Sequence, residues 1–87
     1  MNKIIFSTGG WDDYLYWQMQ DKKTLKRINE LLKDIQRTPF TGIATVEPLK
    51  HRNGQWSRRI DNQNRLVYSI NSNKDIEVLS CRGHYED

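Results

Sequence analysis

The sequence predicts a single α+β domain in which two N-terminal helices pack on one face of an antiparallel β-sheet. A short apolar segment is followed by runs with helical periodicity, and then by three stretches in which apolar and polar residues alternate. Short polar turns separate these stretches. Because the chain has only 87 residues, we expect residues 1–87 to form one domain.

The composition disfavours several classes of protein. A single cysteine, Cys81, excludes an internal disulfide framework, and we expect it to be a small buried strand residue. His51 and His84 have no cysteine or histidine at ligand spacing, so the sequence predicts no metal or other cofactor. Three consecutive apolar residues near the N-terminus are too few for a signal peptide or a membrane span. These observations favour a cytoplasmic protein.

The first residues predict one strand and one helix. Residues 3–6 are β-branched and aromatic, which favours a strand, and residues 7–10 are typical of a turn or a helix cap. Residues 11–20 predict a helix whose core face carries Trp11, Tyr14, Leu15 and Met19. Tyr16 and Trp17 fall outside this face, which leaves two interpretations, a deeper core or a partner surface.

A second helix is predicted from about residue 22 to residue 37. Asp21 can cap its N-terminus, and Thr38 should end it because the residue before a proline avoids helical angles. Apolar residues keep helical spacing at Leu25, Ile28, Leu31, Leu32 and Ile35. The solvent side is expected to carry Lys26, Arg27, Glu30, Lys33 and Asp34.

The second half of the chain predicts a three-stranded antiparallel meander. Residues 40–46 are interpreted as a loop, and residues 53–54 (Asn-Gly) as a tight turn. The predicted strands are residues 55–60, 65–70 and 76–82. Trp56 is expected in the core.

Positive charge is concentrated in one segment, although the whole chain carries a formal charge of only +3. Between residues 50 and 65 there is one acidic residue, Asp61, against Lys50, Arg52, Arg58, Arg59 and Arg65. Alternation along the strand places Arg58 and Arg59 on opposite sheet faces, so at most one of them lines any given surface. Such a segment is typical of a polyanion-binding surface, although edge protection and an Arg65–Asp61 pair are simpler alternatives.

The residue types needed to cleave RNA without a metal are present. The reaction needs a base for the 2′-hydroxyl, an acid for the departing 5′-oxygen and cations for the phosphorane. Glu47 is a candidate base and His84 a candidate acid. The side chains that could hold the nucleotide and its phosphate are Lys50, Arg59, Arg65 and Tyr85. Each of these residues also has an ordinary explanation as an exposed polar side chain, so residue types alone indicate only a basic domain that binds nucleic acid.

Seven segments together resemble the YoeB/Txe toxin family of the RelE superfamily. They are WDDYLYWQ, INELLKD, RTPF, EPLKH, WSRRI, RLVY and CRGHY, in that order along the chain. The resemblance implies a fold similar to microbial ribonucleases and a type II toxin–antitoxin mRNA interferase that cleaves mRNA in the ribosomal A site without a metal. The implied partners are mRNA on the ribosome, a YefM/Axe-type antitoxin, and operator DNA through the toxin–antitoxin complex alone. The extra aromatic surface of the first predicted helix separately suggests a second copy of the chain as a partner.

The resemblance also implies roles for individual residues. Glu47 would be the general base, His84 the general acid and Arg65 the transition-state stabiliser. Supporting contacts to the substrate would come from Lys50, Arg59 and Tyr85.

Two features depart from the family pattern. Residues 42–46 lack the basic side chains expected before the candidate base, and two carboxylates follow Tyr85.

The alternatives from other functional classes are a non-catalytic nucleic-acid-binding or regulatory module, and a small structural partner subunit that uses its aromatic helix surface.

Overall fold

The computed structural model describes residues 2–84. Its elements, in chain order, are β1 (Ile4–Phe6), α1 (Thr8–Gln20), α2 (Lys22–Arg37), β2 (Glu47–Pro48), β3 (Gln55–Arg59), β4 (Arg65–Ile70) and β5 (Ile76–Ser80). The five strands form one sheet in the order β1-β5-β4-β3-β2. None of the helices within residues 2–84 is long and apolar enough to cross a membrane.

The sheet is mixed rather than purely antiparallel. Strands β3, β4 and β5 form the predicted antiparallel meander, and β2 extends it with Glu47 opposite Ser57. Strand β1 pairs with β5 in parallel, so the predicted antiparallel sheet was wrong at this edge. The composition of a strand does not encode the direction of its neighbour, which the path of the chain through the helices sets.

The hydrophobic core lies between α2 and one face of the sheet. Buried side chains of α2 pack against alternate residues of β4 and β5, and the central members are Ile28, Leu31, Ile35, Leu66, Tyr68, Ile76 and Val78. The predicted alternation is therefore confirmed. The same alternation directs Ser57, Arg59 and Arg65 to the other face.

Helix α1 begins earlier than predicted and buries a different face. Ser7 caps it, since its Oγ accepts a hydrogen bond from the Gly10 amide at 3.0 Å. A Cβ on Gly10 would lie 2.3 Å from the Val78 carbonyl oxygen, so the helix approaches β5 at this glycine. Trp17 is buried and donates from Nε1 to the Cys81 carbonyl at 2.8 Å. The predicted core face was wrong for three residues that are exposed: Trp11, Leu15 and Met19.

Helix α2 matches its predicted bounds, but Asp34 is buried rather than exposed. The reason is Arg58, whose fully buried guanidinium reaches α2 from β3 and forms an ion pair with Asp34. Burial alone would raise the pKa of Asp34, but hydrogen bonds from Arg58 and Arg37 outweigh it and lower the pKa to about 2. Sequence periodicity cannot detect a charge partner that arrives from another element.

The Arg58 side chain also organises the loop between α2 and β2. Its Nη2 donates to the carbonyls of Thr38 and Thr41 at 2.5 and 2.6 Å. The loop is tied a second time because the Ile43 amide donates to Asp34 Oδ2 at 3.1 Å. A charged side chain that meets this many partners fixes the path of the chain toward Glu47.

Candidate active site

Glu47 and Arg65 form an ion pair on the sheet face that does not pack on the helices. Arg65 Nη2 lies 3.4 Å from Glu47 Oε1. The Arg65 side chain is 12% exposed, whereas that of Glu47 is 48% exposed. The carboxylate is therefore open to a ligand, and the guanidinium beside it is shielded from solvent, which strengthens its electrostatic interactions. The alternative pairing of Arg65 with Asp61 does not form.

Ser57 fixes the guanidinium of Arg65. The serine is fully buried, and its Oγ accepts hydrogen bonds from Arg65 Nε at 3.2 Å and from Nη2 at 2.9 Å. A guanidinium held in this way loses less side-chain freedom when it binds an anion. No role for Ser57 was predicted from the sequence. Its position opposite Glu47 depends on strand register, so only alternation with the neighbouring arginine pointed to this face.

A sharp turn at residues 44–45 delivers the chain to Glu47. Ala44 and Thr45 have φ angles of 66° and 40°, in a region that costs non-glycine residues about 1–2 kcal/mol each. Their carbonyls accept hydrogen bonds from the Arg59 amide at 3.1 Å and from Arg65 Nη2 at 3.4 Å. This non-basic segment thus contributes carbonyl oxygens that position the cationic face.

The chain after β5 returns to Arg65. The Arg65 amide donates to the Gly83 carbonyl at 3.1 Å, and the Gly83 amide donates to Asn64 Oδ1 at 2.7 Å. On the other side, the Arg82 guanidinium stacks on Tyr16, with its Cζ 3.6 Å from the ring centroid. The segment that carries His84 is therefore tied both to β4 and to α1.

His84 and Arg59 meet at the same residue of the β3–β4 turn. His84 Nε2 lies 3.0 Å from the Asn62 carbonyl oxygen, and because a carbonyl can only accept, the ring nitrogen is the donor. The Arg59 guanidinium donates to the Asn62 side-chain oxygen. In this conformation the His84 ring contacts the turn, while the backbone before it contacts Arg65.

The other predicted residues are placed with less detail. Lys50 lies in the exposed segment between β2 and β3, three residues from Glu47. The turn predicted at residues 53–54 is present, and Gly54 adopts a φ of 81° there. Trp56 packs against the core and against Phe40, with ring centroids 4.9 Å apart. Tyr85 lies outside the described residues, so its role stays a prediction.

Within residues 2–84, no group of three His, Cys, Asp or Glu side chains is arranged to hold a metal ion. Cys81 is buried as predicted, although β5 ends one residue before it, and burial raises the pKa of its thiol to about 12. The described candidate groups are one carboxylate, two arginines, one lysine and one imidazole, namely Glu47, Arg59, Arg65, Lys50 and His84. This set can bind a phosphodiester and exchange protons with it.

Comparison with known proteins decides the family. A family model described as the YoeB-like toxin of bacterial type II toxin–antitoxin systems matches residues 6–85. The chain belongs to the YoeB toxin family. It is 52% identical to Toxin YoeB of Escherichia coli K12 over 84 residues, which cover 95% of this chain and 99% of that one. The family predicted from seven short segments is therefore confirmed.

Solved structures of YoeB toxins share the fold over nearly the whole chain. A YoeB/ParE toxin from Agrobacterium tumefaciens superposes with a TM-score of 0.91 at 42% identity, covering 95% of this chain and 99% of that one. Two Staphylococcus aureus structures, each 44% identical, are described as a YoeB dimer and a YoeB–YefM complex. Their TM-scores are 0.89 and 0.85, and they cover 97% and 98% of this chain and 98% and 99% of their own. The Escherichia coli RelBE complex, at 14% identity and a TM-score of 0.75, shows the predicted RelE-like fold alone.

Proposed function

We propose that this protein is a ribosome-dependent, metal-independent endoribonuclease that cleaves mRNA in the ribosomal A site and so inhibits translation. The observation that carries the proposal is the Glu47–Arg65 ion pair, anchored on buried Ser57 and joined by a backbone hydrogen bond to Gly83, the residue before His84. A solvent-open carboxylate beside a fixed guanidinium is what a metal-free phosphoryl transfer requires.

The proposed reaction is attack by the 2′-hydroxyl on the adjacent phosphorus. Glu47 takes the hydroxyl proton while the new oxygen–phosphorus bond forms. The bond from phosphorus to the 5′-oxygen then breaks, and the departing oxygen takes a proton from His84. The products are a 2′,3′-cyclic phosphate and a 5′-hydroxyl. The His84 ring must turn from Asn62 toward the leaving group when substrate binds.

The cations stabilise the charge that builds on the phosphorane. Arg65 donates to the non-bridging oxygens from a position preset by Ser57. Arg59 lies opposite Arg65 across the β3–β4 pair and binds a phosphate together with Lys50. Tyr85 contacts the nucleotide beside His84.

Control of this activity is assigned to an antitoxin of the YefM/Axe type, with operator DNA bound only through the toxin–antitoxin complex. The YoeB–YefM complex at 44% identity supports this partner, and the YoeB dimer supports self-association. Trp11, Leu15 and Met19 of α1 supply exposed apolar surface suited to such contacts. The proposed location is the cytoplasm, where ribosomes are the target.

The test is cleavage of a defined mRNA on programmed ribosomes. We expect cuts in the A-site codon that leave a 5′-hydroxyl and a 2′,3′-cyclic phosphate, because the attacking group is the neighbouring 2′-hydroxyl and no step uses a metal-bound water. A matched mRNA with a single 2′-deoxy nucleotide before the cut should stay intact, because it lacks the attacking hydroxyl. Uncut mRNA would contradict the proposed function, and products that carry a 5′-phosphate would contradict its metal-free chemistry.

Replacing Ser57 by alanine is expected to lower the rate of cleavage about tenfold, because Arg65 loses the acceptor that holds it in place. Ser57→Thr keeps the hydroxyl and should recover most of the rate. The measurement is single-turnover cleavage, with the unfolding midpoint measured alongside. A loss of stability in Ser57→Ala with an unchanged rate would show that the serine has a structural role only.

A further inference from the structure

A groove runs from the proposed active site toward the N-terminal half of α2. Its first part is a cavity of about 460 Å³ lined by Arg27, Thr45, Arg59 and Asn62 among others. A second cavity of about 390 Å³ shares Arg27 with it and extends to Lys23. The two cavities share Arg27, Ile60 and Asp61 as lining residues, and we call the surface that they form between α2 and the β3–β4 turn the lateral groove.

The lateral groove opens directly beside the catalytic residues. The Thr45 carbonyl at its rim accepts a hydrogen bond from Arg65 Nη2. Asn62, on the same rim, contacts both His84 and Arg59. A nucleotide chain held across Arg65 can therefore continue into the groove past Thr45 and Asn62.

The charge of the groove is positive. The described residues that line it include three cations, Lys23, Arg27 and Arg59, and one acid, Asp61. Asp61 is exposed, and its Oδ1 accepts hydrogen bonds from the amides of Gln63 and Asn64, each at 2.8 Å. The acid is hydrogen-bonded within its own turn, and the three cations outnumber it, so the groove attracts anions.

Arg27 and Lys23 are suitably placed to bind a phosphodiester backbone. They are four residues apart on one face of α2, about 6 Å along the helix axis, a distance that neighbouring phosphates of one strand can span. The Arg27 side chain is 37% exposed, and its Nη1 lies 3.7 Å from Glu30 Oε2. An exposed pair of this kind contributes about 1 kcal/mol or less, so a phosphate with bidentate geometry can replace it.

We infer that the lateral groove binds backbone phosphates of RNA that flank the cleaved bond, with Arg27 as the principal contact and Lys23 as the second. The inference rests on the proposed function. It adds a binding site on α2, outside the catalytic residues. The phosphates belong either to the mRNA itself or to ribosomal RNA beside it, and the chemistry recognised is the same.

The test compares Arg27→Gln with Lys26→Gln in the catalytically disabled Glu47→Gln protein. Lys26 is the adjacent exposed residue of α2 and does not line the groove, so both variants lose one positive charge. Binding is measured to a single-stranded RNA oligonucleotide and to ribosomes carrying mRNA, at several salt concentrations. We expect Arg27→Gln to weaken binding about tenfold and to reduce the salt slope by about one, with Lys26→Gln close to the parent protein.

The two RNA samples identify the source of the phosphates. Weaker binding to the free oligonucleotide assigns them to mRNA, and weaker binding to ribosomes alone assigns them to ribosomal RNA. Equal binding by the two variants in both samples would overturn the inference. Cleavage by the wild-type protein is measured separately, so that failure of the groove is distinguishable from failure of the proposed function.

Discussion

Replacing Arg58 by methionine is expected to destabilise the protein by about 3–5 kcal/mol, because it leaves the buried carboxylate of Asp34 without its main partner. The same change frees the carbonyls of Thr38 and Thr41 that Arg58 Nη2 satisfies. The measurement is the midpoint of denaturant unfolding at pH 7. The matched control is Arg59→Met, since Arg59 is adjacent but exposed, and its effect should stay below about 1 kcal/mol.

Equal midpoints for the Arg58→Met and Arg59→Met proteins would contradict the role of the buried ion pair. The double variant Arg58→Met with Asp34→Leu provides a further check. Because it removes both charges together, it should be more stable than Arg58→Met alone. A double variant with additive losses would show that the two residues act independently.

The loss of stability in Arg58→Met should depend on pH, because Arg58 lowers the pKa of Asp34. In the native protein the pKa of Asp34 is lowered from 3.8 to about 2, so its contribution to stability is present above pH 4 and is lost as the pH falls through 2. Without Arg58, burial favours the neutral form of the Asp34 carboxyl. The loss of stability caused by Arg58→Met should therefore become smaller as the pH falls from 7 to 3. A loss that stayed constant over this range would contradict the pairing of Arg58 with an ionised Asp34.

Replacing Glu47 by glutamine is expected to lower single-turnover cleavage by a factor of about 10²–10⁴, because the amide cannot accept the 2′-hydroxyl proton. The fold should be unaffected, since Glu47 is exposed and lies at the sheet edge. Circular dichroism and the midpoint of denaturant unfolding test whether the fold is intact.

The matched control for Glu47 is Glu77→Gln. Glu77 lies on β5, and its Oε1 accepts a hydrogen bond from Ser69 Oγ at 3.4 Å. Ser69 is four residues after Arg65 on β4. The Glu77→Gln protein should cleave mRNA at nearly the wild-type rate. Cleavage by Glu47→Gln within twofold of the wild type would remove Glu47 from the catalytic role.

The part of the fold set by local pattern could be predicted from the sequence. Helix α2 has a cap, an apolar stripe and a proline stop, and its bounds are as predicted. Alternation along β3 predicted that Arg58 and Arg59 lie on opposite faces, but it did not predict which of them is available to a ligand. Arg58 is buried in the ion pair, and Arg59 is exposed.

What could not be predicted depends on contacts between elements that are distant along the chain. The burial of Asp34 requires an arginine that lies 24 residues later, and the role of Ser57 requires the register between β2 and β3. The face that α1 buries is set by close approach at Gly10, because aromatic residues surround this helix and leave its periodicity ambiguous. Residue types and family resemblance nominated Glu47, Arg65 and His84, but the geometry that joins them is tertiary.

The central claim is that Glu47 and His84 act as base and acid on one phosphodiester. The most direct test uses an RNA in which sulfur replaces the departing 5′-oxygen. A thiolate leaves without a proton, because thiols ionise far more readily than alcohols. The rate of His84→Ala should therefore return to within about tenfold of the wild-type rate on this substrate, while Glu47→Ala should remain as impaired as on normal RNA. Equal rescue of both variants, or of neither, would contradict the assignment.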